Sequence, residues 1–147
     1  MTNREVKEYL MRYRDAKREQ QDVDLRIAEL RTKYASPAAI RYSDMPTAHN
    51  ADHDLSNYYA ALEQLQNMLI DKVTRCIGIE VDIETRLDRM DDQIEREILR
   101  HRYCDVDARG RLQSWESIAE TLGYSRRAVT NIHGRALSHF PTDDLRW

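Results

Sequence analysis

The residues with the most chemical content lie in one stretch near the C-terminal end, WESIAETLGYSRRAVTNIHGRAL (115–137). Residues 121–142 carry Arg126, Arg127 and Arg135, with His133 and His139, and no acid at all. At helical spacing the outward face of this stretch is Ser125, Arg126, Arg127, Thr130, Asn131, Gly134 and Arg135. These types suit the major groove of duplex DNA. Arg pairs bidentately with guanine and Asn with adenine, while Ser or Thr reaches phosphate or the thymine methyl. A helix beginning at Ser125–Arg127 offers free N–H groups to a phosphate. Gly134 removes bulk one turn further on, where backbone could approach the groove wall. The plainer alternative is a solvated arginine face on a module that contacts only protein.

Such a face needs a scaffold that holds it clear of the core, and the same stretch supplies one. Counted from Trp115, the small Ala119 falls at the fifth position and Gly123 at the ninth. Ile118, Leu122, Tyr124, Val129 and Ile132 are the apolar residues between and around them. Two helices crossing over a short turn need one small contact, one residue free to take positive φ, and a shared apolar wedge. The pattern predicts a helix-turn-helix. Three short helices are expected at about 91–103, 115–122 and 126–139, with Ser114 and Ser125 as N-caps, Gly123 as the stop of the middle helix and Pro141 ending the last.

At ILRHRY (98–103), SWESIAETLGYS (114–125) and RRAVTNIHGRAL (126–137) the chain resembles the C-terminal promoter-binding region, region 4, of sigma-70-type factors. The match covers about 45 residues. The wider arrangement, a heptad helix, the YSDMP segment (42–46), a second long helix and then this module, is similar to small phage and prophage regulators of the sigma-region-4-like or ArpU/RinA late-gene kind. The resemblance implies a DNA-binding transcription regulator of phage or mobile-element genes in a bacterial cytoplasm, with host RNA polymerase as a further partner.

The remaining two thirds of the chain reads as a long arm. Val6, Tyr9, Tyr13, Ala16, Gln20, Val23, Ile27, Leu30 and Tyr34 alternate spacings of three and four, which predicts one helix over 2–34. Leu55, Tyr58/Tyr59, Leu62, Leu65, Leu69, Val73, Cys76, Ile79, Ile83 and Leu87 do the same over 53–89. The first helix would be about 50 Å long and the second about 55 Å. Between them, residues 35–52 hold Pro37 and Pro46 and read as a connector, with Ile40, Tyr42 and Met45 packing down somewhere. Two matched seams predict an antiparallel hairpin over 1–90, and its thin core favours a homodimer through the hairpin. The fold class expected is therefore all-α: a long antiparallel, coiled-coil-like helical hairpin (1–90) followed by a tri-helical helix-turn-helix domain (91–147).

Composition agrees. Of 147 residues 33% are charged and 41% hydrophobic, with four glycines and three prolines, too few turn residues for a strand-rich fold. No stretch approaches a membrane span. Cys76 and Cys104 lack metal or redox spacing and read as packing residues. His49, Asp52, His53 and Asp54 read as a polar connector running into the second helix, with Asp54 or Asp52 near its N-terminus, rather than as a metal site, and Asp82, Glu84, Asp88, Asp91 and Asp92 as a solvated face rather than nuclease carboxylates. No nucleophile elbow, P-loop or HExxH occurs, so no enzyme, cofactor or metal is expected. The competing function is an adaptor that binds RNA polymerase or another host protein and touches no DNA.

Overall fold

The computed structural model describes residues 1–35 and 48–145, without the side chains of 48–53. The described residues form α1 (Asn3–Ala35), α2 (Ala48–Leu87), α3 (Gln93–Tyr103), α4 (Trp115–Leu122) and α5 (Arg126–His139). No strand occurs among them, so the described residues are all-α. α2 starts five residues before the expected 53, because no Gly or Pro between Ala48 and Asp54 stops a helix from extending upstream. His49 and Asp52 are thus on α2 and not in the connector, although their side chains, with that of His53 and like Ile40, Tyr42 and Met45, lie outside the described residues. Among the described residues no helix is long and apolar enough to cross a membrane.

Contacts divide the chain into two compact units, Met1–Arg18 with Arg75–Trp147, and Glu19–Thr74. In the first unit a single core gathers Val6, Tyr9, Leu10 and Tyr13 from α1 and Cys76, Ile79, Ile83 and Leu87 from α2. Leu99 and Tyr103 of α3, Ala136 and Leu137 of α5, and Phe140 belong to the same core. Each large side chain there contributes roughly 1.5–3 kcal/mol by leaving water. Packing therefore crosses residue 90 without a break. Tyr9 donates its hydroxyl to Asp82, and Tyr13 faces Glu80 and Cys76, so partners descend α2 as they ascend α1. A second, smaller cluster joins Ile98, Ile118, Ala119 and Val129, with Ile94, Trp115, Leu122 and Ile132 packed around it. Both cysteines are buried and free, as packing residues should be.

In the second unit only Val23 and Ile27 are buried among the described residues. Lys72 pairs with Glu19 at 3.0 Å, and Tyr34 stacks on Tyr58 with centroids 4.0 Å apart. The seam Leu62, Leu65, Leu69 and Val73 is half-buried there, and Leu55 and Tyr59 are exposed.

Four of the five acids in the run 82–92 are taken up structurally, and Asp91 is exposed. Asp82 faces Arg86 as well as Tyr9, and Glu84 and Asp88 both pair with Arg100. Asp92 caps α3 by accepting from the N–H groups of Ile94 and Glu95. Among the described residues no group of three or more His, Cys, Asp or Glu is placed to hold a metal ion.

Candidate nucleic-acid interface

Local chemistry sets each boundary of α4 and α5. Ser114 Oγ accepts from the Ser117 N–H at 3.1 Å and opens α4. Gly123 closes it at φ 73°, ψ 29°, in the left-handed region, with its N–H on the Ala119 carbonyl. Ser125 Oγ then accepts from the Ala128 N–H at 3.1 Å and opens α5. The turn is only three residues long, and Ile118, Ala119 and Val129 interlock across it. Tyr124 departs from the expected wedge. It is 40% exposed, because the left-handed turn at Gly123 aims the next side chain out of the cluster.

Of the seven expected site residues, Ser125, Arg126, Arg127, Asn131 and Arg135 are exposed, and Thr130 and Gly134 are half-buried. Arg127, Asn131 and Gly134 share one face of α5, with Thr130 and Arg135 on its flanks and Arg126 roughly a quarter turn to the side. Arg127, Asn131 and Arg135 have no side-chain partner among the described residues, so their donors face solvent. Arg126 is different: its Nη1 lies 2.8 Å from Glu116 Oε1 on α4. Both side chains are more than 60% exposed, and such a pair adds little stability. Ser125 spends its hydroxyl oxygen on the cap, and Thr130 donates its hydroxyl to the Arg127 carbonyl at 3.0 Å. The Gly134 carbonyl accepts from Asn3 Nδ2 at 3.2 Å, and the one Ser138 hydroxyl proton is within reach of both that carbonyl, at 3.3 Å, and Asn3 Oδ1, at 3.1 Å.

The two histidines of the acid-free stretch are engaged away from this face. His133 is buried and shares a 2.8 Å hydrogen bond between its Nε2 and the Tyr103 hydroxyl. Its ring meets Trp115 edge-on at 4.6 Å, and the Arg102 guanidinium covers the Trp115 ring at 4.2 Å. Burial, and then the charges of Lys7 and Arg102, pull the His133 pKa down to about 4, so the imidazole is neutral. Burial likewise pushes the Tyr103 hydroxyl up to about 12. His139 is exposed and its Nδ1 lies 2.8 Å from the carboxyl of Glu95, which is buried.

Three residues that local reading passes over bear on the site: Asn3, Lys7 and Glu116. Glu116 stands in the same motif as Arg126, ten positions earlier, but only the crossing of α4 and α5 brings them together. Nothing in the local pattern around Asn3 or Lys7 points to α5. Compared with known proteins, the chain matches no family model, no curated protein and no solved structure.

Proposed function

We propose that this protein binds duplex DNA in a sequence-dependent way and regulates transcription, with α3, α4 and α5 acting as a helix-turn-helix and α5 entering the major groove. The observation that carries the reading is the combination at α5. The helix begins immediately after a left-handed glycine turn, packs through Val129, Ala136 and Leu137, and leaves Arg127, Asn131 and Arg135 without side-chain partners among the described residues on its outer side. Buried neutral His133 supports the helix from behind, so the exposed donors stand on a rigid element. In this reading Arg126, Arg127, Thr130 and Asn131 approach base edges, and Ser125 and Arg135 face phosphates. The long helices α1 and α2 pair as an antiparallel hairpin that serves as a dimerisation or partner-binding arm, and no catalysis is assigned. The resemblance to sigma region 4 at residues 98–103 and 114–137 supports promoters of phage or mobile-element genes as the target.

Selection of bound duplexes from a random pool with the purified full chain tests this. Enrichment of one motif is expected, and for a dimer two half-sites spaced by a multiple of about 10–10.5 base pairs. Failure to retain any duplex at low salt, with RNA polymerase co-purifying instead, would replace this reading by the adaptor.

A further inference from the structure

We propose that the first two turns of α1 form a second wall of the DNA site, with Arg4 and Lys7 on the sugar-phosphate backbone beside the groove that α5 enters. The inference rests on the DNA reading above and adds a contact surface outside the helix-turn-helix.

Four observations carry it. First, α1 is pinned to α5 at its tip. Asn3 Nδ2 donates to the Gly134 carbonyl at 3.2 Å, and Ser138 Oγ donates to Asn3 Oδ1 at 3.1 Å. The start of α1 therefore abuts the outer face of α5 at Gly134, between Asn131 and Ser138. Second, Lys7, one turn further along, is exposed yet close enough for its charge to lower the His133 pKa. Third, the acids nearby are engaged. Glu5 is folded back into a capping box, accepting from the Thr2 N–H and hydroxyl, and Glu8 pairs with Arg4 at 3.1 Å. The Arg4 side chain is 87% exposed, so a phosphate can displace Glu8 at little cost. Fourth, Arg4, Lys7 and Arg14 line the same shallow surface depression, whose two acids, Glu8 and Asp15, are paired with Arg4 and Arg14, and residues 1–18 carry six Lys or Arg against three Asp or Glu. A row of cations beside a groove-reading helix complements a row of phosphates, and phosphate contacts are what fix register on a duplex.

The experiment uses the full chain and a labelled random-sequence duplex of about 30 base pairs, because backbone contacts act on any sequence. Affinity is read by fluorescence anisotropy across about 50–300 mM KCl. Each lost phosphate contact should reduce the slope of log K against log salt by about 0.9, and weaken binding five- to tenfold near 0.1 M salt. The double variant Arg4→Gln/Lys7→Gln is thus expected to lose nearly two units of slope. A control with the same charge change, Arg26→Gln/Arg31→Gln on exposed positions of α1, should keep the wild-type slope. Equal slopes for the two double variants would overturn the second wall and leave DNA binding by α5 intact, and would turn this surface over to a protein partner. A wild-type chain that binds no duplex at low salt overturns both. Matching thermal melts for the variants confirm that only surface charge has changed.

Discussion

Mild acid should destabilise the folded chain through His133. This imidazole lies between the Tyr103 hydroxyl and the Trp115 ring, and burial, Lys7 and Arg102 lower its pKa from 6.5 to about 4. At neutral pH the ring is uncharged in both folded and unfolded chains and the shift has no effect. As pH falls through 6.5 the unfolded chain takes up a proton that the folded chain refuses until about 4. Stability present above 6.5 is therefore lost on acidification, by about 2 kcal/mol at pH 5 and about 3 kcal/mol once both states are protonated. Urea denaturation followed by far-UV circular dichroism at steps between pH 7.5 and pH 5 measures this. The comparison is with His133→Gln, which can keep a hydrogen bond to Tyr103 but cannot titrate. The gap between wild type and variant should move by about 2 kcal/mol over that range, in the direction of wild-type destabilisation. Two parallel stability–pH curves would refute a desolvated, neutral His133 behind α5.

Other perturbations separate further pieces of the structure. Gly123 and Gly110 both sit at φ 73°, but a Cβ on Gly123 meets nothing within 4 Å, whereas one on Gly110 meets Arg18 Cγ at 2.4 Å. Gly123→Ala should cost about 1–2 kcal/mol from backbone strain alone, and Gly110→Ala about 2–4 kcal/mol because α1 must also give way, both read by chemical denaturation. Arg126→Ala should change stability by less than about 1 kcal/mol, since its pair with Glu116 is exposed. In titrations of matched against scrambled duplexes it should cost about 1–3 kcal/mol on the matched site if Arg126 reads a guanine, and weaken both alike if it touches only phosphate. Glu116→Gln frees Arg126 and removes an anion from the interface, so duplex affinity at low salt should rise, and a fall would contradict the assigned face. His139→Ala strips a partner from the buried carboxyl of Glu95 and should cost about 1–3 kcal/mol in thermal or urea melts.

Sequence alone determined what acts over three or four residues. Ser114 and Ser125 open helices where their hydroxyl oxygens can accept an N–H three positions on, and Gly123 stops α4 because a residue without Cβ takes positive φ without strain. The ends of α4 and α5, the apolar seams of α1 and α2, and the outward Arg127, Asn131 and Arg135 follow from the same short-range rules. The start of α2 lies upstream of the position its local pattern suggests, because Pro46 and the polar HNADHD run read as a connector, whereas a helix tolerates those side chains once nothing sterically blocks it. Tertiary structure decided what depends on residues far apart in the chain. Leu10, fully buried beside Tyr9, widens the α1 stripe beyond a two-helix seam and lets Val6–Tyr13 enter one core with α2, α3 and α5. Across 30 residues, Tyr103 captures His133 and takes it out of the basic face. Across 131 residues, Asn3 brings the start of α1 onto Gly134. Heptad spacing states that a side chain will be covered, but the covering partner is chosen by the packing of the whole chain, and no local pattern encodes it.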